Sequence, residues 1–509
     1  MFLLGIDIGT SSIKVSVVDA DSQQCIVSVQ YPDTESGITS LQTGWAEQSP
    51  GMWWEHVQQA ILKANASKKY DPKDIRAIGI SYQMHGLVCV DKDQQVLRDS
   101  IIWCDSRAVD LGNAAFNAIG HSRSLQHLLN SPGNFTASKL AWVKQNEPGI
   151  YEKIDKVMLP GDYIAMQFTG ISTTSISALS EAVFWDFKNK ALSKDVFEYF
   201  GFDTDVIPEI RDVFSEHGTL QAGIALQLSL TAGIPVAYKA GDQPNNALSL
   251  NVLEPGEVAA TAGTSGVIYG VSDELTFDTR SRINSFAHVN HNSQEKRIGI
   301  LLCINGTGIL NRWLKNITAK DISYNQMNEA GALVKPGSDG LMILPFGNGA
   351  ERMLENKMIG AHISNLDLNV HTSAHLYRAA QEGIAFAFRY GLDIMKENGL
   401  NPGIIRAGRA NMFLSDVFAN CFVNTLNIPL ELHNCDGSVG AAIGAGVGAG
   451  IFKNAKEAFR ENKPLKTIEP GPLAKQYDQL YENWKDLLME KCLQLQNNAV
   501  SPVPNNNHH

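Results

Sequence analysis

The chain has 509 residues, of which 44% are hydrophobic, and a net charge of −11; this length exceeds what one hydrophobic core usually supports, so we expect two large domains. The negative charge argues against nucleic acid or an anionic membrane as a partner, because both need a basic face. The seven scattered cysteines predict reduced thiols, and the longest apolar stretch, residues 439–452, is too short to span a membrane, so we expect a cytoplasmic protein.

The chain begins with two short apolar runs, FLLGI and IKVSVV, separated by a turn of small and hydroxyl residues, GTSS at positions 9–12. This pattern predicts a β-hairpin. The backbone N–H groups and hydroxyls of the turn can cradle a phosphate, with Lys14 adding positive charge. Asp7, at the end of the first strand, is placed to hold a hydrated magnesium ion. Taken alone, the same pattern is more often that of an ordinary hairpin.

A helix and a strand with a polar loop follow. Ser49 before Pro50 predicts the start of a helix whose apolar residues share one face. The run 75–81 predicts a strand, and the loop after it carries Met84 and His85, where α/β sheets usually place ligand groups.

A second strand end, in the segment IIWCDSR, carries Trp103 and Asp105. Further on, residues 157–170 continue in an alternating pattern to a loop rich in Ser and Thr. The hydroxyls of that loop indicate turns and helix caps.

The run 234–241 predicts a strand that delivers Asp242 to the beginning of a helix. A carboxylate there can take a proton from a substrate hydroxyl, a step worth about 10²–10⁴ in rate. Considered by itself, Asp242 is better explained as the N-cap of that helix. The pattern of the first hairpin recurs at 258–271, however, with Gly263, Thr264 and Ser265 in the turn. A duplicated cradle predicts two similar lobes around one cleft, with Asp242 beside it.

The second half predicts mainly helices, with strands between them. The segments are a helix around Trp313, a strand with a polar loop at 338–353, a buried helix at 372–399, a strand, turn and helix at 404–430, a Gly/Ala-rich helix after Asp436 and a last helix from Ala474. We attribute the glycines and alanines after Asp436 to close helix packing rather than to a dinucleotide fingerprint.

Together these motifs resemble the FGGY family of carbohydrate kinases over nearly the whole chain. The matching segments are GIDIGTSSIKV, WAEQSPGMWW, QMHG, WCDSR, NFTASKLAWVKQNEP, LPGDY, AGDQPNNAL, AGTSG and RAAQEGIAF. The resemblance implies an α/β protein of two ribonuclease H-like, actin-like ATPase domains with a cleft between them. The implied sugar-binding domain is 1–245, the nucleotide-binding domain is 246–490, and 491–509 is expected to be a disordered tail.

The resemblance also implies site residues. The catalytic residues are Asp242, as the base, and Asp7, and both are the implied magnesium ligands, directly or through water. The substrate-binding residues are Gln83, Met84, His85, Trp103, Asp105, Asp242 and Gln243. The nucleotide-binding residues are Thr10, Ser11, Ser12, Lys14, Gly263, Thr264, Ser265, Gly308, Gly408 and Asn411.

The implied reaction is the transfer of phosphate from ATP, with Mg²⁺, to a primary hydroxyl of a ketopentose, with D-xylulose to D-xylulose 5-phosphate as the leading case. A small sugar is therefore the expected partner, with no nucleic acid and no membrane, and a homodimer is the assembly considered.

Two departures from the family pattern leave alternatives open. Gln243 stands where members acting on xylulose commonly have Asn, so ribulose, fuculose, rhamnulose and glycerol stay as alternative substrates. The segment 406–411 (RAGRAN) replaces glycines expected near the adenosine, so a sugar-binding regulator without catalysis is another hypothesis. A sugar-independent ATPase of the actin or Hsp70 kind would share both turns but needs no sugar site.

Overall fold

The computed structural model describes residues 1–318 and 320–500. Within these ranges the chain forms 22 β-strands and 17 α-helices. The strands are β1 (Phe2–Ile8), β2 (Ile13–Asp19), β3 (Cys25–Tyr31), β4 (Glu47–Gln48), β5 (Ile75–Tyr82), β6 (Val88–Val90), β7 (Ser100–Ile101), β8 (Lys156–Met158), β9 (Thr173–Thr174), β10 (Trp185–Asp186), β11 (Ala191–Leu192), β12 (Glu209–Ile210), β13 (Val236–Gly241), β14 (Glu257–Ala262), β15 (Gly266–Ser272), β16 (Asn284–Ala287), β17 (Ile298–Ile304), β18 (Met342–Phe346), β19 (Gly360–Ser364), β20 (Ile404–Gly408), β21 (Leu430–His433) and β22 (Lys466–Ile468).

The helices are α1 (Pro50–Ala66), α2 (Val109–Ile119), α3 (His121–Leu128), α4 (Thr136–Asn146), α5 (Pro148–Tyr151), α6 (Pro160–Thr169), α7 (Ile176–Glu181), α8 (Lys194–Phe200), α9 (Ala222–Gln227), α10 (Asp242–Ser249), α11 (Gly308–Thr318), α12 (Tyr324–Ala332), α13 (Ser373–Glu397), α14 (Asp416–Leu426), α15 (Gly437–Gly448), α16 (Ala455–Ala458) and α17 (Ala474–Val500). No helix of the described ranges is both long and apolar enough to cross a bilayer.

The two main sheets repeat one plan, which confirms the prediction of two similar lobes. The first sheet has the order β3-β2-β1-β5-β13, and the second contains the matching series β17-β15-β14-β20-β21, extended by β16 and β22. In each series the first three strands are antiparallel and the last three are parallel. Both predicted hairpins, β1-β2 and β14-β15, therefore occupy equivalent places in the two lobes.

Helix α15 joins the lobes, because it follows a strand of the second sheet but packs against β1, β2, β5 and β13 of the first. Its backbone lies very close to that sheet: a methyl group added at Gly79 would lie 1.9 Å from the carbonyl oxygen of Ala441. Small residues permit this approach, so the prediction of close packing by the Gly/Ala-rich helix is confirmed. The equivalent helix α10 packs against α15, and Asn245 Nδ2 donates to the carbonyl oxygen of Gly437 over 2.8 Å.

A second connection between the lobes involves β16, the edge strand of the second sheet. Asn130 of the first lobe donates to the Ser285 carbonyl oxygen over 2.6 Å and accepts from the Ser285 N–H over 3.1 Å. Ser180 Oγ accepts from the Ala287 N–H over 2.9 Å. Polar side chains of one lobe thus satisfy the free edge of the other lobe's sheet, which would otherwise be exposed.

Of two expected helix starts, that of α1 is confirmed, whereas the interpretation of Asp242 as the N-cap of α10 is wrong. Helix α1 begins at Pro50, and the Ser49 hydroxyl accepts from the Met52 N–H as its N-cap. Gly241, and not Asp242, is the N-cap of α10, so capping does not account for Asp242.

Other segments differ from the expectations. The alternating segment 157–170 is a short strand followed by α6, a helix in which all residues except Gln167 are buried. Such a helix lacks an exposed face, and its sequence therefore lacks a helical period. The expected division at 245/246 falls inside α10, and the first ten residues of the expected tail, 491–500, belong to α17. The rest of that tail, 501–509, lies outside the described residues.

Candidate active site

Three parallel strand ends of the first lobe bring the predicted acids together. Asp7 of β1 is in register with Ser81 of β5, and Gly241 of β13 is in register with Tyr82 of β5. Asp7, the loop 83–85 and Asp242 therefore emerge at one edge of the sheet, where α/β proteins bind ligands. The N-terminus of α15 borders the same edge, since a methyl group at Gly437 would lie 2.6 Å from Asp7 Oδ2.

The two acids influence each other electrostatically. Burial raises the pKa of the Asp242 carboxyl to about 7, and the Asp7 carboxylate adds to the shift. Burial also raises the pKa of Asp7, and the neighbouring Asp436 raises it further. Lys14 Nζ, the cation of this cluster, lies 3.0 Å from Asp436 Oδ2. Since Lys14 pairs with Asp436, Asp7 and Asp242 are the two acids of this group that could supply oxygen ligands to a divalent cation.

His85 is held in a defined orientation beside this cluster. Its Nδ1 lies 3.1 Å from the backbone carbonyl oxygen of Glu181, which can only accept, so Nδ1 carries the proton of the neutral ring. Burial lowers the pKa of His85 to about 3, and the charge of Lys139 adds to the effect. The imidazole is therefore neutral at pH 7, with Nε2 as a hydrogen-bond acceptor. Phe135 and Phe286 pack against the ring at centroid distances of 4.8 Å and 5.4 Å.

Gln83 and Trp103 connect the loops after β5 and β7 to the first turn. The Thr10 hydroxyl donates to Gln83 Oε1 over 3.2 Å and accepts from Trp103 Nε1 over 2.9 Å. Gln83 Nε2 also donates to Gln48 Oε1. Trp103 is 53% exposed, so its ring has a face free for a ligand. Met84 is buried in the same loop.

Asp105 is placed differently from the other predicted sugar-binding residues. It is fully buried, and its carboxylate accepts from Arg107 Nη2 over 2.7 Å and from the Ala46 N–H over 2.6 Å. Its other oxygen accepts from the Arg107 N–H. Gln243, by contrast, is partly exposed next to Asp242, where its N–H and side chain act against the rise of the Asp242 pKa.

The second lobe contains a cavity of about 560 Å³ beside its phosphate turn. Four predicted nucleotide-binding residues line it: Gly263, Thr264, Gly308 and Asn411. Its other lining residues include Asn311, Arg312, Tyr324, Asn325, Asn328, Met412, Leu414 and Ser415. The cavity therefore combines amides, an aromatic ring and one cation, a set suited to a purine nucleoside with its phosphates.

The turn at Gly263 and Thr264 is attached to the beginning of α11. Gly308 N–H donates to the Gly263 carbonyl oxygen over 2.9 Å, and the Ile309 N–H donates to the Thr264 carbonyl oxygen over 3.1 Å. Thr264 and its neighbour Ser265 are exposed, as is Ser11 in the first lobe's turn, with Ser12 partly exposed. Each lobe thus presents an open turn with free hydroxyls.

The altered RAGRAN segment leaves the cavity open. The Arg406 guanidinium pairs with Glu257 and Glu431, each over 2.9 Å, and so links three neighbouring strands of the second sheet. Gly408 ends β20 in register with His433. Asn411 is the residue of this segment that reaches the cavity.

Sequence reasoning missed Glu181 and Lys139. The buried Glu181 carboxyl accepts from the Tyr82 hydroxyl over 2.8 Å and from the His85 N–H over 2.9 Å, and burial raises its pKa to about 8. Lys139 Nζ donates to the carbonyl oxygens of His85 and Ile102. The signal for Glu181 was weak, since it is one acid within a run of Ser and Thr.

Comparison with known proteins agrees with this geometry. The N-terminal domain of the FGGY family of carbohydrate kinases matches residues 2–249, and the C-terminal domain of that family matches residues 258–449. The chain belongs to this family. It is therefore a two-domain sugar kinase that transfers phosphate from ATP to a small sugar.

The relatives cover nearly the whole FGGY kinase chain. Xylulose kinase of Bacillus subtilis (strain 168) is 28% identical over 466 residues, which are 90% of each chain. Xylulose kinase of Escherichia coli (strain K12) is 27% identical over 483 residues, 92% of this chain and 94% of the relative. The crystal structure of a xyloylose kinase from Brucella ovis has a TM-score of 0.85 and 26% identity, covering 96% of this chain and 99% of that one.

Proposed function

We propose that this FGGY kinase phosphorylates D-xylulose at its primary hydroxyl to give D-xylulose 5-phosphate. The relatives that match along most of the chain are xylulose kinases. The observation that carries the proposal is the position of Asp242, which lies at the strand ends next to His85 and Asp7 and feels the charge of Asp7. A base, a hydroxyl-binding imidazole and an acidic cluster thus share one cleft.

In the proposed reaction Asp242 removes the proton of the sugar's primary hydroxyl. The hydroxyl oxygen forms a bond to the γ-phosphorus of ATP while the bond from that phosphorus to the β,γ-bridging oxygen breaks, and ADP leaves. The neutral His85 accepts a hydrogen bond from a sugar hydroxyl through Nε2. The N–H groups and hydroxyls of the turns at 9–12 and 263–265 stabilise the charge that develops on the phosphoryl oxygens.

Asp7 and Asp242 are the proposed ligands of Mg²⁺, directly or through water. Within the described ranges no group of three or more His, Cys, Asp or Glu residues is arranged to hold a metal ion. Mg²⁺ is commonly bound by one or two carboxylates together with substrate phosphates and water, so a pair of acids fits it. The ion supplies charge neutralisation to the phosphates.

We assign the other predicted residues according to their contacts. Gln83, Met84, Trp103 and Gln243 are proposed to contact the sugar, and Asp105 is proposed to fix its loop through Arg107. The cavity beside Gly263, Thr264, Gly308 and Asn411 is the proposed nucleoside site, with Thr10, Ser11, Ser12, Lys14 and Ser265 around the phosphates, and Gly408 supporting Asn411.

The location and assembly are also proposals. All seven cysteines are free thiols, which agrees with a reducing compartment, and we propose the cytoplasm. A homodimer remains the proposed assembly, and light scattering of the purified protein tests it.

The substrate is tested by coupled release of ADP with xylulose, ribulose, fuculose, rhamnulose and glycerol, each with Mg²⁺ and ATP. We expect the highest kcat/KM for D-xylulose, and a loss of about 10²–10⁴-fold in Asp242→Asn. A higher kcat/KM for another sugar would show that this other sugar is the substrate. Full activity of Asp242→Asn would show that Asp242 is not the base. Sugar binding without turnover in the wild type would indicate a regulator.

A further inference from the structure

Arg352 carries a positive charge that no acidic side chain of the described residues pairs. It begins a short 3₁₀ turn, Arg352–Leu354, in the second lobe. Across residues 1–318 and 320–500, its guanidinium has no hydrogen bond or ion pair. Arg312 and Arg409 also lack a partner in this part of the chain, but both are exposed, whereas Arg352 is only partly exposed. A guanidinium that is partly shielded from solvent and has no partner among the described residues is available to pair with an anion that reaches it.

The backbone next to Arg352 is fixed to the nucleotide side of the cleft. The preceding residue, Glu351, is buried and accepts from the N–H groups of Asn305 (3.0 Å) and Gly306 (2.9 Å). These two residues lead into Gly308, whose N–H donates to Gly263 in the phosphate turn. Arg352 therefore directly follows the carboxylate that holds the loop leading into α11.

The charge of Arg352 also acts on the sugar side of the cleft. After burial and Lys139, Arg352 is a further cause of the low pKa of His85. Burial raises the pKa of the Cys303 thiol to about 11, while Arg352 lowers it and Asp242 raises it. The Arg352 charge thus acts on His85 of the first lobe and on Cys303 of β17. The 3₁₀ turn of Arg352 packs against β17, whose C-terminal end leads towards Gly308.

We propose that Arg352 binds the γ-phosphoryl group of ATP from the second lobe and stays on that group as it moves to the sugar. The inference rests on the proposed function. A planar guanidinium can hold two phosphoryl oxygens at once, and this charge-assisted pairing is stronger than neutral hydrogen bonds. In the transfer step Arg352 remains protonated, because the hydroxyl proton goes to Asp242. Arg352 would stabilise the negative charge on the transferred group, as cationic clamps do in other phosphoryl transfers.

The test compares Arg352→Gln and Arg352→Lys with the control Arg280→Gln. Arg280 is an exposed arginine of the same lobe that pairs with Glu355 just after the 3₁₀ turn. We expect kcat to fall about 10²–10³-fold in Arg352→Gln, with the sugar KM within threefold. The loss should be smaller in Arg352→Lys, and the control should match the wild type. Because an unpaired charge is removed, Tm without ligands should stay the same or rise.

A binding measurement separates a phosphate role from a structural one. Calorimetry with a non-hydrolysable ATP analogue and with ADP should show at least tenfold weaker analogue binding in Arg352→Gln, with ADP binding unchanged. Added guanidinium should restore part of the kcat lost in Arg352→Ala. Unchanged kcat, equal losses for analogue and ADP, or a drop in Tm of several degrees would each overturn the inference. If the wild type shows no sugar-dependent turnover, the proposed function fails, whereas the ratio of analogue to ADP affinity still decides the role of Arg352.

Discussion

At the scale of single residues, the cleft contains two carboxyls with different tasks. Burial raises the pKa of the Glu181 carboxyl to about 8, with Asp242 among the further causes. This carboxyl already accepts hydrogen bonds from the Tyr82 hydroxyl and the His85 N–H. Asp242, with a pKa of about 7, is partly exposed at the start of α10. Burial raises both pKa values, so the hydrogen-bond partners of the two acids and their exposure, rather than their pKa values, distinguish their roles. Glu181 positions His85, and Asp242 is free to accept a proton.

The pH dependence of the reaction follows from the Asp242 pKa. The proposed role of Asp242 as the base requires an ionised carboxylate, and a pKa raised to about 7 leaves this carboxyl protonated at lower pH. We therefore expect kcat/KM for the sugar to rise about tenfold per pH unit below 7 and to level off above it. Initial rates between pH 5 and 9 at saturating ATP measure this profile.

The variant Glu181→Gln is the control for that profile, because it retains an oxygen that can accept from the His85 N–H. The inflection near pH 7 should persist in it if the inflection belongs to Asp242. Its disappearance in Glu181→Gln would instead assign the profile to Glu181.

At the scale of secondary structure elements, the contact between α15 and β5 depends on a missing side chain. A methyl group at Gly79 would lie 1.9 Å from the Ala441 carbonyl oxygen, a backbone atom that cannot move alone. We expect Gly79→Ala to lower the free energy of unfolding by on the order of 3 kcal/mol. Urea denaturation followed by circular dichroism measures the change.

Gly223→Ala in α9 is the matched control, since no atom lies within 4 Å of the added methyl group. It should leave stability unchanged or raise it slightly, because alanine favours helix more than glycine does. Equal stability of Gly79→Ala and wild type would contradict the close packing described here.

The sequence predicted helices and strands well where one face is buried and the other is exposed. It predicted them poorly where both faces are buried. The hairpins β1-β2 and β14-β15 and the helix α1 carry turn, cap and periodicity signals, and all three were found. Helix α6 is almost entirely buried, so its sequence shows no amphipathic period. The tail was expected to begin at 491, but α17 continues to Val500. Pro502, two residues later in the sequence, is the stop signal that better marks the end of this helix.

At the scale of the whole molecule, the duplicated lobes were predictable from the repeated GTS turn, but the contacts between lobes were not. Phe286 packs on His85 from a strand some 200 residues further along the chain, as the difference between the two residue numbers shows. The sequence likewise did not single out Arg352, because only the structure shows that its guanidinium has no partner among the described residues. The sequence pattern indicates local structure and repeats. It does not indicate which distant residues face each other across the cleft, because tertiary packing decides those contacts.

The connection through β16 is tested by removing the amide of Asn130. This side chain satisfies both the N–H and the carbonyl oxygen of Ser285. We expect Asn130→Ala to lower the free energy of unfolding by about 1–3 kcal/mol, because two buried backbone groups lose their partner. It should also raise the sugar KM, since β16 carries Phe286 to His85.

Asn146→Ala, which removes an exposed amide bonded to the Trp142 carbonyl oxygen, is the control for both measurements. Thermal unfolding and sugar titrations of the two variants give the comparison. A change in stability without any change in KM would show that β16 joins the lobes but does not shape the sugar site.

The crossing of α15 has a consequence for any attempt to produce the halves of this enzyme separately. A fragment that ends before β14 would contain every strand of the first sheet but would leave uncovered the face on which α15 packs. The sheet face exposed in this way would make the fragment prone to aggregation when it is expressed alone. Co-expression of the C-terminal fragment, which contains α15, would cover this face again. We therefore expect the two fragments to reassemble by complementation.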